Sequence, residues 1–172
     1  AVCTTPVNTN TITLTVNTLP AISSQPQAQT TCSGTTVSFT VGATGTGVQY
    51  QWQVNTGTGF VNLTNTGNYT GATTSTLVVS NTTVAMSGYQ YRCVVSGTCA
   101  PTVNSSAVTL IVYAPVVVNR SPANAEVCAG TTASFLVAAS SVPAINYQWQ
   151  VSTNGGTTWT DIAGATTTSL SL

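Results

Sequence analysis

The residues able to do acid–base or metal chemistry in this 172-residue chain are very few. Arg92, Arg120, Glu126 and Asp161 carry all of its charge, and it has no histidine and no lysine. A general acid or base must titrate near the working pH, a task done mostly by His, Glu, Asp or Lys. The two carboxylates fall in different segments, and the many serines have no His or Lys to activate them. The composition therefore argues against an enzyme, and no cofactor is expected. Five cysteines remain: Cys3, Cys32, Cys93, Cys99 and Cys128. Their spacing is too wide for a zinc site, and an isolated Asp161 is a poor start for calcium, so no metal is expected.

The same count bears on partners. Two arginines make no counterion-releasing surface, which argues against nucleic acid. Neutrality argues against an anionic membrane surface, and no apolar run approaches the roughly 20 residues of a transmembrane span. Thr, Ser, Asn and Gln replace charge, and with 42% hydrophobic residues the chain is not of the disordered, charge-rich type. Threonine's branched Cβ favours strands.

The elements that would position these residues follow from period-2 alternation. Strands are predicted over 36–41, 48–54, 75–80, 89–96 and 106–112, with a turn over 42–47 and no convincing helical period. These elements recur. Cys32-Ser33-Gly34-Thr35-Thr36 returns as Cys128-Ala129-Gly130-Thr131-Thr132, a shift of 96, and Cys3 returns as Cys99 at the same shift. Tyr50-Gln51-Trp52-Gln53-Val54 returns as Tyr147-Gln148-Trp149-Gln150-Val151. A period near a hundred residues means whole domains in tandem. Residues 1–16 are read as the last strand of one unit, 17–113 as a complete unit, and 114–172 as a unit whose last two strands are absent.

Trp52 follows Val41 at the spacing that separates the second strand's inward residue from the buried Trp of an immunoglobulin-type sandwich. Leu77, Val79, Val84, Ser87, Gly88, Tyr91 and Cys93 follow the order of an E strand, corner and F strand. Tyr91 occupies the tyrosine-corner position, two residues before Cys93. The expected disulfide partner of Cys93 is replaced by Val41, so Cys93 is read as a buried free thiol. The fold class is all-β, tandem immunoglobulin-like β-sandwiches arranged end to end, with Trp52, Trp149, Tyr91 and Val41 in their cores.

The runs Tyr50-Gln51-Trp52-Gln53, Gly88-Tyr89-Gln90-Tyr91-Arg92-Cys93 and Ser105-Ser106-Ala107-Val108-Thr109-Leu110 carry a further likeness. Through them, and through the second unit's Tyr147-Gln148-Trp149-Gln150 and Trp159, the chain resembles bacterial immunoglobulin-like repeats. Such repeats occur in very long Bacteroidota surface proteins exported by the type IX system. The resemblance implies an extracellular setting and a role as a stalk or spacer in a filament or adhesin. The expected partners are neighbouring repeats of the same or identical chains, and surface glycans or proteins for a binding variant. Phe60 and Trp159, at matching places on a peripheral strand, are the candidate binding surface. A third reading is a subunit that polymerises by donating residues 1–16 into a neighbour's sandwich.

In a sandwich of this topology the turn holding Cys32 or Cys128 and the loop holding Cys3 or Cys99 lie at opposite poles. The four are therefore disulfide candidates between successive units, with a Cys93–Cys99 bond as the intradomain alternative. Asn62, Asn68, Asn81 and Asn104 match the glycosylation acceptor pattern, read as accidental here. Asn154-Gly155 is read as a type I′ hairpin turn.

Overall fold

Threonine-paved alternation resolves into short strands with one face apolar. The computed structural model describes residues 10–141 and 143–172. The first strands are β1 (Ala21–Ser24), β2 (Gln29–Cys32), β3 (Val37–Thr40), β4 (Gly42–Thr44), β5 (Gln49–Asn55) and β6 (Phe60–Asn62). They are followed by β7 (Tyr69–Thr70), β8 (Thr76–Val79), β9 (Gln90–Ser96), β10 (Val103–Asn104) and β11 (Val108–Tyr113). The later strands are β12 (Val117–Arg120), β13 (Ser134–Leu136), β14 (Ala138–Ser140), β15 (Gln150–Val151), β16 (Thr160–Asp161) and β17 (Ser169–Ser171). A single 3₁₀ turn, Val84–Met86, is the only helical element among the described residues, and no helix there is long and apolar enough to cross a membrane.

The strands up to Tyr113 build a sandwich. One sheet runs β2-β11-β9-β5-β6, with β10 also on β9, and the other runs β3-β8-β7. All pairs are antiparallel except β2 with β11, where Cys32 lies opposite Tyr113. In β3 Val37 and Phe39 point inward while Ser38 and Thr40 face water; in β9 Tyr91, Cys93 and Val95 point inward. The period of two puts each apolar set on one face, and the two faces meet. Phe39 stacks on Tyr91 with ring centroids 4.8 Å apart, and Trp52 tilts against Phe39 at 6.4 Å. Leu77, Val79, Val41, Leu110 and Val112 close the core around them.

Two turn expectations are corrected. Gly42–Thr44, expected as part of a turn, pairs with β1, with Gly42 opposite Ser24. A Cβ at Gly42 would stand 2.5 Å from the Ser24 hydroxyl oxygen, so the close approach of β1 explains the glycine. Asn154-Gly155 is not a type I′ turn, which needs positive φ at both residues: Gly155 and Gly156 take φ of 69° and 87°, and Asn154 does not. Instead the Asn154 side chain accepts from the Thr158 amide at 3.0 Å, and the Ser152 hydroxyl accepts from the Gly156 amide at 2.8 Å, organising a longer loop.

Cys3 and the rest of residues 1–9 lie outside the described residues. Residues 10–16 form no strand, and Ile12, Leu14 and Val16 are 93%, 87% and 78% exposed.

Truncating the central ring tests this core. Phe39→Ala removes contacts to both Trp52 and Tyr91 and is expected to lower stability by about 3–5 kcal/mol in urea unfolding. The exposed neighbour change Ser38→Ala is expected to stay within about 0.5 kcal/mol.

Candidate functional site

On the solvent face of the β9-β5-β6 sheet, amides and one arginine form a ladder. The arginine Nε of Arg92 donates to Gln53 Oε1 at 2.8 Å, and Gln53 Nε2 donates to Asn62 Oδ1 at 2.8 Å. The three residues sit opposite one another on adjacent strands, so backbone register alone brings them together. The Arg92 guanidinium lies 4.0 Å from the centre of the Phe60 ring, a cation–π contact that leaves Phe60 half-buried. Beside it a shallow depression of about 720 Å³ is lined by Tyr50, Gln51, Thr73, Val94 and Ser96, among others.

The later strands repeat this chemistry in part. Gln150 Nε2 donates to Asp161 Oδ1 at 2.8 Å, and Gln150 lies opposite Asp161 as Gln53 lies opposite Asn62. Gln51 Nε2 donates to the carbonyls of Trp52 and Leu63, and Gln148 Nε2 does the same to Trp149 and Ile162. The indole of Trp52 donates to the Thr74 carbonyl and that of Trp149 to the Thr167 carbonyl, each at 2.9 Å. Trp159 stands where Phe60 stands but is 59% exposed. Trp149 has Phe135 6.4 Å away and is half-buried, because no described strand lies along β15 on the side that β9 occupies against β5.

The core candidates Trp52, Val41 and Tyr91 are buried. The Tyr91 hydroxyl meets that of Tyr69 at 3.4 Å, and burial, reinforced by that neighbour, pushes the Tyr91 phenol well above its ordinary range. Cys93 is buried between the sheets opposite Trp52, and desolvation pushes its thiol up to about 11. No disulfide joins Cys32, Cys93, Cys99 or Cys128; Cys32 and Cys128 are exposed and Cys99 is half-buried. Cys32 ends β2 beside Tyr113, whereas Cys99 follows β9, near where the Thr98 amide donates to the Thr46 carbonyl. Because β9 and β11 run antiparallel, these two thiols occupy opposite poles of the sandwich.

Two residues that sequence reasoning passed over hold these poles and strands. Thr82 is buried, and its hydroxyl lies 3.2 Å and 3.1 Å from the carbonyls of Cys32 and Thr35, latching the cysteine-bearing turn. Ser105 Oγ accepts from the Cys93 amide at 2.8 Å and donates to the Ser106 carbonyl at 3.0 Å, pinning β9. A lone hydroxyl in a threonine-rich chain carries no sequence signal of burial. No cluster of His, Cys, Asp and Glu able to hold a metal is formed among the described residues.

The raised thiol gives a pH signature. Above the ordinary value of 9.0 the unfolded chain loses the Cys93 proton while the folded chain keeps it until about 11. The folded state then binds more protons, so stability falls as pH rises through that window. The urea midpoint is expected to decline from about pH 9. In Cys93→Ala the onset is expected to move upward, leaving the later loss due to Tyr91.

Residues 117–172 match the model of a family described as a domain of unknown function (DUF8696). Endoglucanase C of Cellulomonas fimi is 36% identical over 159 residues, which is 91% of this chain and 14% of that protein. The chain thus spans a small part of the length of the curated relative it matches. Among solved structures, the immunoglobulin domains 1–5 of Sidekick-1 match with a TM-score of 0.55 at 18% identity, covering 79% of this chain and 28% of that one. An I-band fragment of titin matches with a TM-score of 0.54 at 18% identity, covering 80% and 47%. The first two immunoglobulin domains of DIP-gamma match at 0.52 and 15%, covering 89% and 82%. Similarity at these identities speaks to fold alone, and the fold is all-β and immunoglobulin-like.

Proposed function

We propose that this chain is a structural segment of an extracellular bacterial protein built from repeated immunoglobulin-like domains, serving as stalk or spacer. The observation that carries the reading is the polarity of the sandwich. The chain comes in at Thr18–Pro20, where the Thr18 amide donates to the Thr46 hydroxyl at 3.0 Å. A Cβ at Gly45 would stand 2.9 Å from both the Leu19 carbonyl oxygen and Pro20, so this junction is close-packed. The chain leaves at Tyr113, beside Cys32 at the other pole. A domain entered at one end and left at the other links to its neighbours in line. Units so linked transmit length and tension without any reactive group.

Exposed Cys32 and half-buried Cys99 stand at the two poles where neighbouring units would touch, so disulfides between successive units would stiffen such a rod. The match to a small part of Endoglucanase C supports placing the segment within a larger, exported protein. A filament or surface adhesin, including the type IX-exported Bacteroidota kind, is the finer form of this proposal.

A second reading, a glycan- or protein-binding module, rests on one observation: Trp159 presents an open aromatic face to solvent. Two measurements decide between them. Spin labels on Cys32 and Cys99, with the other cysteines replaced, are expected to lie more than about 25 Å apart, as a strand of seven residues plus its flanking turns requires. A separation under about 15 Å would remove the polarity argument. On a glycan array the chain is expected to bind nothing; binding that vanishes in Trp159→Ala would move the assignment to the binding module.

A further inference from the structure

Cys93 is a buried nucleophile to which the stalk reading gives no task. It sits on β9 opposite Trp52 and points into the core. The same strand leads to a second thiol. Val95 pairs with Val103 across the β9–β10 hairpin, which puts Cys99 midway along the loop between them. There Cys99 is half-buried and flanked by exposed Thr98 and Ala100. β9 stays extended from Cys93 to Ser96, a rise of about 10 Å before the loop begins. A disulfide needs Cα atoms about 4.4–6.8 Å apart, so the intact strand keeps the two thiols out of each other's reach.

The bonds that hold this end of β9 lead back to the point where the chain enters. Gln49, Tyr50 and Gln51 pair with Ser96, Val95 and Val94. Ser105 bonds both backbone groups of Cys93: its Oγ accepts from the Cys93 amide and its own amide donates to the Cys93 carbonyl, each at 2.8 Å. Beyond them the loop is fastened to Thr46, whose carbonyl accepts from the Thr98 amide at 2.8 Å. Thr46 is fastened in turn to Thr18. The Thr46 amide donates to the Thr18 carbonyl at 3.2 Å, and the Thr18 amide donates to the Thr46 hydroxyl at 3.0 Å. Pro20 covers Gly97, where a Cβ would stand 3.5 Å from the proline ring and 3.0 Å from the Thr46 carbonyl oxygen. Tension on the incoming chain thus acts on Thr18, then on Thr46, then on the loop that carries Cys99.

We propose that Cys93 is a concealed resolving thiol for a disulfide carried by Cys99, set free when tension draws the Ser96 end of β9 away from β5. The stalk reading enters at one point, by making the partner of Cys99 a thiol of a neighbouring unit. Once exposed, Cys93 gives its proton to solvent and attacks the Cys99 sulfur. The bond from Cys99 to the neighbour breaks, the Cys93–Cys99 bond forms, and the neighbour's sulfur leaves as a thiolate. The exchange needs no oxidant. In the closed unit desolvation pushes the Cys93 thiol up to about 11, whereas an exposed thiol at its ordinary 9.0 has a reactive thiolate fraction near neutral pH. The short segment between the two holds them at an effective concentration of about millimolar or more. A ring closed at 93 and 99 cannot lie extended along β5. The junction is therefore unlatched, and the unit stays open until a reductant cuts the ring.

The test uses the 172-residue chain with Cys3→Ser, Cys32→Ser and Cys128→Ser. Dithiobis(nitrobenzoate) added to the folded chain is expected to release one equivalent of thionitrobenzoate, leaving Cys99 as the mixed disulfide and Cys93 untouched. After removal of excess reagent, urea is expected to release a second equivalent, and peptide mapping to show the Cys93–Cys99 bond. On dilution of the urea, native circular dichroism and Trp52 fluorescence should return only when dithiothreitol is added. With Cys93→Ala in addition, no second equivalent should appear and the chain should refold unaided. Thr46→Val, which removes the hydroxyl that holds Thr18, should speed the slow release in native buffer about fivefold, the worth of one neutral hydrogen bond. Second release as fast in buffer as in urea would overturn the concealment, and no second release in urea would overturn the exchange. Refolding with the ring still closed would overturn the latch, and an unchanged rate in Thr46→Val would overturn the relay from Thr18. Each outcome is read within one chain, so a failure here is distinct from a failure of the stalk reading.

Discussion

The sandwich built by the strands up to Tyr113 depends on the ladder between β5 and β9. Seven consecutive pairs fix which side of each strand faces in, and a slip of one residue would put Trp52 on the opposite face of the sheet from Tyr91 and Cys93. With the register set, Trp52 and Tyr91 meet Phe39 from the opposite sheet, and three aromatic rings fill the centre. The outward residues of the same ladder, Gln53 and Arg92, then come opposite one another without any further device. Core and surface network are two faces of one alignment.

A chain with four charges cannot satisfy its buried polar atoms with ion pairs, and this one uses hydroxyls and amides. No buried side-chain nitrogen or oxygen among the described residues lacks a partner. Thr82 and Ser105 bond backbone groups at the turn between β2 and β3 and on β9, and the indole of Trp52 reaches a backbone carbonyl. Neutral hydrogen bonds of this kind cost little when pH or salt changes, unlike ion pairs. The buried thiol and phenol hold their protons in the folded state, which makes stability fall with rising pH on the alkaline side.

Much of this was legible in the sequence because period-2 alternation reports directly on which side chains face inward. Val37, Phe39, Leu77, Val79, Tyr91 and Cys93 all stand in such runs, and the tryptophans stand out as rare, large residues. The β1–β4 pair was not legible: Gly42 belongs to a strand only because β1 approaches it closely, a tertiary fact that a local reading takes for a turn. The Ser152–Thr158 loop was misread for a similar reason, since side-chain acceptors, rather than a left-handed Asn154, organise it. Thr82 and Ser105 were invisible because dozens of exposed hydroxyls share their chemistry. Gln51 and Gln148 recurred in the repeat, but only three-dimensional geometry shows each bridging two carbonyls.

Comparing the two groups of strands separates what a sandwich holds by itself from what a covering strand adds. The bonds local to the β5–β6 corner are present in both: the tryptophan indole to a carbonyl, the glutamine bridge, and the cross-strand amide bond. Burial differs. Trp52 is fully covered and Trp149 only in part; Phe60 lies under a guanidinium while Trp159 is open. Hydrogen-bond geometry is thus set by the corner, whereas burial of the apolar face requires β9. Since apolar burial supplies most of the stabilisation of such a fold, the strand that covers this face matters more to stability than the corner that shapes it.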